Sequence, residues 1–214
     1  IWSLGGPVTP NQHGEFTLRN LAAGQYQIVV RQFAKYWYLQ SISLPAPGDA
    51  NPTPINRTQD AVLNWITLRP GEQLSGLAVT IAEGAASIRG QITVDEGSLL
   101  PQRLYVYLVP AEREKAKDVL RFFAAPVAPD RTIALNNISP GRYLMLLKPP
   151  LDRVRPTLTK LRLPDEAETR ATLRREAEEA KIEIELKPCE NVVGYQLPYR
   201  VSKSASNGSA SQKP

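Results

Sequence analysis

Hydrophobic residues along this chain come in short runs that alternate with polar ones, and proline and glycine cut the runs apart. Phe16 and Leu18 alternate with Thr17 and Arg19, the period of two that a half-buried strand produces. Asn20-Leu21-Ala22-Ala23-Gly24 then supplies turn chemistry, with Gly24 free to take positive φ. Tyr26, Ile28 and Val30 restart the alternation in a second strand. Another strand is predicted over 38–44, with Leu39 on one face and Tyr38, Gln40 and Ile42 on the other. A Pro- and Asn-rich loop follows over 45–56, then a strand over 61–68. Leu77, Val79 and Ile81 alternate before a boundary near Glu83-Gly84. Beyond it, strands are expected over 86–94, 104–110, 119–125 and 131–147, with a helical turn over 111–117. Ile182, Ile184 and Leu186 read as a closing strand equivalent to Leu77-Val79-Ile81.

One phrase occurs twice. Leu18, Asn20, Gly24 and Tyr26 recur as Leu135, Asn137, Gly141 and Tyr143, with large apolar residues at the other key places. A repeat at domain-sized spacing predicts two copies of one module. The architecture expected is therefore mainly β: two tandem Ig-like or prealbumin-like antiparallel sandwiches, the first over 1–83 and truncated at its N-terminus, the second over 84–200. In such a sandwich a Tyr opening a strand turns its hydroxyl back to the backbone a few residues upstream and pins the corner. Asn20, Gly24 and Tyr26, with Asn137, Gly141 and Tyr143, are the corner residues this predicts.

The pattern changes once, at Pro164-Asp165-Glu166. Asp165 as N-cap and acids in the first turn predict a surface helix over about 165–180, lying on the second module through Leu173, Ala177 and Ala180. Glu166/Arg170, Arg174/Glu178 and Arg175/Glu179 stand at i,i+4 spacing along it. From Ser202 the chain is Ser, Ala, Asn, Gly and Lys, so 201–214 is expected to be a disordered tail.

Composition narrows the chemistry. Nineteen Pro and 13 Gly suit strands and turns, and a net charge of +5 is scattered without the basic stripe of a nucleic-acid surface. No apolar run reaches the length of a membrane span. A single His, His13, and a single Cys, Cys189, leave no metal-ligand spacing and no internal disulfide. Cys189 reads as a small buried hydrophobe beside Pro188. Neither a Gly-x-Ser-x-Gly elbow nor a phosphate-binding glycine loop is present. No catalytic, cofactor-binding or metal-binding residue is therefore assigned, and no cofactor is expected. The one candidate ligand surface is aromatic: Tyr36, Trp37 and Tyr38, with Phe33 close by. Consecutive strand residues face opposite sides, so the three cannot all be core. Trp2 and Trp65 carry the same ambiguity with less company.

The phrase from Gly14 to Tyr26 resembles the Gly-x-Phe-x-Leu-x-Asn-Leu-x-x-Gly-x-Tyr signature of carboxypeptidase regulatory-like domains, which are transthyretin-like β-sandwiches. The second copy departs from it, with Arg131 at the motif Gly and Ile133 at the Phe. The resemblance implies a non-catalytic repeat of a large exported bacterial protein, such as those of acidobacteria, located in the envelope or secreted. It would act as a spacer or protein-interaction unit. Two alternatives stand beside it: a carbohydrate-binding module using Tyr36, Trp37 and Tyr38, and an accessory domain of a peptidase lying upstream. The partner expected is an unidentified protein or polysaccharide, not nucleic acid.

Overall fold

The computed structural model describes residues 8–31, 34–45, 58–94, 100–150 and 161–199. Trp2, Phe33, most of the Pro-rich loop after Pro45 and the tail over 201–214 lie outside them. The chain is mainly β, with four sheets and one α-helix among the described residues. Twelve strands are described: β1 Gly24–Tyr26, β2 Trp37–Pro45, β3 Thr58–Asp60, β4 Ile66–Leu68, β5 Ala78–Glu83, β6 Ala86–Thr93, β7 Tyr105–Pro110, β8 Phe123–Pro126, β9 Thr132–Ile138, β10 Gly141–Lys148, β11 Glu183–Leu186 and β12 Asn191–Pro198. The helix α1 is Ala167–Ala180.

Residues 86–198 form a sandwich. One sheet runs β11-β10-β7-β8 and the other β12-β6-β9, all antiparallel except the β12–β6 pair. Ile88 and Ile92 from β6, Val106 and Leu108 from β7, Ile133 and Leu135 from β9, Tyr143 and Met145 from β10, and Leu197 from β12 interdigitate between the sheets. The outer face of the four-stranded sheet is apolar as well. Tyr105, Tyr107 and Val109 project there, and α1 covers them with Leu173 and Ala177, both fully buried. Each such side chain removed from water contributes roughly 1.5–3 kcal/mol. That is why β7 reads as a continuous apolar run instead of an alternating one.

The helix starts later than its sequence suggests. A 3-10 turn occupies Pro164–Glu166, and Glu166 stands at the N-cap without a side-chain cap bond. Arg170 is buried, because its guanidinium Nη1 donates to the carbonyls of Leu161 and Leu163 at 2.9 and 2.7 Å. Arg174 keeps its pair with Glu178 at 2.9 Å and also bonds the carbonyls of Pro110 and Ala111, tying the helix to the end of β7.

The N-terminal elements pack around a separate core. β1 pairs with β4, and β2 lies between β3 and β5. Ile42, Ala61, Val62 and Ile66 form that core, completed by Val119 and Leu120 from the C-terminal part. Those two residues were expected in a strand over 119–125. They lie instead in a 3-10 turn, Val119–Arg121, capped by Asp118, and the strand starts only at Phe123. The turn lets two consecutive apolar side chains point into a neighbouring core, which strand geometry forbids.

Three other expectations change. β2 and β5 share a bulge between Leu39 and Ser41. The extra residue, Gln40, lies in β2, so Leu39 and Ile42 both pack into the N-terminal core; Ile81 on β5 is 48 % exposed. Residues 15–19 keep the half-buried alternation of Phe16 and Leu18 but join no sheet. The counterpart of β11 is β4 and not the 77–81 stretch: Gly24 faces Leu68 and Tyr26 faces Ile66, as Gly141 faces Leu186 and Tyr143 faces Ile184. The last described strand is β12, whose residues carry no clear alternation of apolar and polar positions.

The equivalence of β4 and β11 extends through the turn after each. Arg69 N–H donates to the Glu72 carboxylate at 2.7 Å, and Lys187 N–H donates to that of Glu190 at 2.7 Å. Pro70-Gly71 occupies the first turn and Pro188-Cys189 the second, with φ of +73° at Gly71 and +60° at Cys189. Cys189 is thus exposed, not buried, and holds a left-handed position that its first-copy equivalent fills with glycine. Replacing Cys189 by Gly should stabilise the fold by about 1 kcal/mol, because glycine takes positive φ without a Cβ penalty. Urea denaturation of Cys189→Gly against wild type checks this; an unchanged or lower midpoint contradicts it.

Candidate functional site

The repeated phrase builds two tyrosine corners. In the first, Tyr26 Oη donates to the carbonyl of Ala22 at 2.5 Å, and in the second Tyr143 Oη donates to that of Ser139 at 2.7 Å. Asn20 and Asn137 both take left-handed backbone, with φ of +59° and +55°. Asparagine tolerates that conformation because its side chain bonds locally or to a neighbour.

The corners differ in what surrounds them. Tyr26 is half-buried at an open edge, whereas Tyr143 is fully buried and Ser139 Oγ also lies 2.7 Å from its hydroxyl. Arg121 stacks its guanidinium over the Tyr143 ring at 4.7 Å and donates to the Pro140 carbonyl at 2.9 Å. Glu112 approaches Arg121 at 3.5 Å and accepts from Arg142 N–H at 3.2 Å. A Cβ at Gly141 would stand 2.1 Å from Arg121 Nη2, so the corner glycine makes room for the cation as well as for its own φ of +137°. Burial pushes the Tyr143 phenol up to about 12, and Tyr107, buried between β7 neighbours and the helix, likewise to about 12. Both remain protonated donors at neutral pH. For Glu112, burial acts upward, but the backbone N–H bonds and the Arg121 charge outweigh it and hold the carboxyl below its ordinary range.

Asn137 does more than turn a corner. Its Nδ2 donates to the carbonyls of Ala34 at 3.0 Å and Trp37 at 2.7 Å, across a sequence separation of about a hundred residues. The carbonyl between them, that of Tyr36, accepts from both Gly84 N–H at 2.7 Å and Ala85 N–H at 2.8 Å. Gly84 returns a carbonyl to Cys189 N–H at 3.0 Å. The connection between β5 and β6, Gly84-Ala85, is therefore buried, with both N–H groups and the Gly84 carbonyl bonded. Tyr36, with φ of +70°, is the pivot of this joint.

That placement defines the aromatic cluster. Trp37 and Tyr38 are half-buried; Tyr36 is 39 % exposed, and Lys35 Nζ sits 4.7 Å over its ring. Trp65 is half-buried near the N-terminal core. Among the described residues, no three His, Cys, Asp or Glu side chains gather as a metal site, and no helix is long and apolar enough to cross a membrane.

One concavity was not legible in the sequence. A cavity of about 60 Å³ opens beside residues 27–30, walled by Leu39, Ile42, Val62, Leu120 and Arg162. Gln27 Nε2 donates to the Arg162 carbonyl at 2.8 Å, and Arg162 Nη2 donates to the Leu120 carbonyl at 2.8 Å. Two polar atoms, Gln27 Oε1 and Arg162 Nε, are shut off from solvent there with no partner. Burial lowers the Arg162 guanidinium to about 10, still a cation at neutral pH.

Tyr143→Phe should cost about 1–3 kcal/mol, because it strands the Ser139 carbonyl and hydroxyl in a buried corner. Tyr26→Phe should cost less, its carbonyl partner being open to water. Urea midpoints of the two variants test the ordering. The depressed Glu112 carboxyl contributes stability that is full above its unfolded value of about 4.3 and is lost as pH falls through its lower folded value. The stability gap between wild type and Glu112→Gln should therefore be widest above about pH 4.3 and close in more acid solution; a gap that is constant with pH rejects the assignment.

Compared with known proteins, the chain stands alone: no family model, no curated protein and no solved structure matches it.

Proposed function

We propose that this chain is a non-catalytic pair of β-sandwich repeats serving as a stiff spacer and interaction unit of a larger extracytoplasmic protein. The observation that carries the reading is the joint. Between β5 and β6 a flexible spacer would show an exposed linker of polar residues. Here Gly84, Ala85 and Ala86 are buried; Gly84 and Ala85 donate to the Tyr36 carbonyl, and Gly84 accepts from Cys189 N–H. Asn137 binds the same loop from the other side, and Val119 and Leu120 plug the neighbouring core.

The repeated corners, the equivalent β1–β4 and β10–β11 registers and the equivalent turns support two copies of one unit. The two-sheet sandwich supports the resemblance to carboxypeptidase regulatory-like domains. Exported location and bacterial origin rest on that resemblance alone. Tyr36 and Trp37 meet the joint through their backbone carbonyls, and Lys35 Nζ lies over one face of the Tyr36 ring.

The test is a distance distribution between spin labels at Gln73 and Glu179, both exposed, in a Cys189→Gly background. A stiff joint gives one narrow distribution, which Asn137→Ala broadens. A broad or multimodal distribution in the parent overturns the spacer reading.

A further inference from the structure

Five consecutive residues, Val119-Leu120-Arg121-Phe122-Phe123, are buried, and none is more than 8 % exposed. A strand sends successive side chains to opposite faces, so such a run means that its residues serve different interiors. Val119 and Leu120 enter the N-terminal core beside Ile42, Val62 and Ile66. Phe122 joins the cluster that α1 covers with Leu173 and Ala177. Phe123 lies between the two sheets of the sandwich, its ring 6.1 Å from that of Tyr143. Arg121, in the middle, stacks over the same tyrosine at the corner. One short segment thus takes part in all three cores of the described residues.

The segment is held in shape from one side. Arg121 N–H donates to the Asp118 carbonyl at 3.1 Å, and Phe122 N–H donates to that of Val119 at 3.2 Å. The Asp118 carboxylate accepts from Leu120 N–H at 3.1 Å, and Arg162 Nη2 donates to the Leu120 carbonyl at 2.8 Å. Arg162 itself stacks 5.1 Å over the Phe123 ring. All these partners lie in the second copy, so the turn keeps its backbone bonds without help from the first.

The cores depend on one another unequally. Among the described residues, the sandwich core and the cluster beneath α1 draw no side chain from before Ala86. The N-terminal core takes two of its six buried side chains, Val119 and Leu120, from the second copy. The first copy is also held there by its backbone, because Ala34 and Trp37 offer their carbonyls to Asn137 Nδ2. A core this small loses cohesion when those two side chains leave it, whereas the larger sandwich loses only an outer contact.

We propose that Val119 to Phe123 is a one-way latch between the copies. The first copy holds its fold only while the second is folded, and the second holds its fold without the first. Melting of the sandwich withdraws Val119 and Leu120 and opens the N-terminal core. Opening of the N-terminal core leaves Asp118, Arg121 and Arg162 still bracing the turn, so the first copy can open and close on a standing scaffold. This goes beyond the spacer reading and fails separately from it: label distances report the native geometry, and the latch concerns the order in which the cores are lost.

The test follows the amide NMR signals of the whole chain in two variants that place a charge in a core. In Ile42→Asp the native β2 and β5 signals should vanish while those of β7 and β10 remain. In Met145→Asp both sets should vanish. Survival of β2 and β5 in Met145→Asp makes the copies independent and overturns the latch; loss of β7 and β10 in Ile42→Asp makes them one cooperative unit and also overturns it. Urea titration of the wild-type chain gives a readout that needs no variant: β2 and β5 should be lost no later than β7 and β10, and the reverse order rejects the proposal. Leu120→Ala should speed hydrogen exchange at the β2 and β5 amides by about tenfold or more, and an unchanged rate removes the plug from the mechanism.

Discussion

Burial of β7 on both faces is the constraint around which the C-terminal sandwich is built. All six residues of Tyr105–Pro110 are shut away from water. In that setting every main-chain N–H and C=O of the strand needs a partner, and β10 and β8 supply them from either side. One face then requires a second sheet, which β6, β9 and β12 provide. The other requires a lid, which α1 provides through Leu173 and Ala177. The helix is a consequence of the sheet's two apolar faces; its own apolar side is too narrow to hold it anywhere else.

The same constraint explains the asymmetry between the copies. Where β7 is present, the strand after the corner is long, paired and buried. In the first copy the same pattern of residues forms a ladder of three residues with β4, and among the described residues it is joined to no second strand. Local sequence preference alone therefore does not make a strand here; a neighbour's backbone does.

Charge is handled by enclosure in small, closed networks. Arg121 is buried, yet it stacks on Tyr143, bonds Pro140 and faces Glu112, so the cost of its desolvation is offset within a few ångströms. Arg170 and Arg174 satisfy backbone carbonyls at loop ends instead of pairing only along the helix surface. Arg121 and Arg162 each keep a buried Nε without a hydrogen-bond partner.

What the sequence determined by itself was whatever depends on local spacing: the β class, most strand positions, the single helix, and the two corners with their Asn, Gly and Tyr residues. Those features rest on side-chain period and on backbone preferences that a few neighbouring residues settle. Tertiary structure decided the rest, because the deciding partners are distant in the chain. The bulge in β2 brought Leu39 and Ile42 into one core, a turn sent Val119 and Leu120 into that core too, and the return of the chain from β11 placed Cys189 at an exposed glycine-like position. Pattern also marked residues 15–19 and 27–31 as strands, yet among the described residues neither joins a sheet, because a strand needs a neighbour's backbone as well as its own side-chain period.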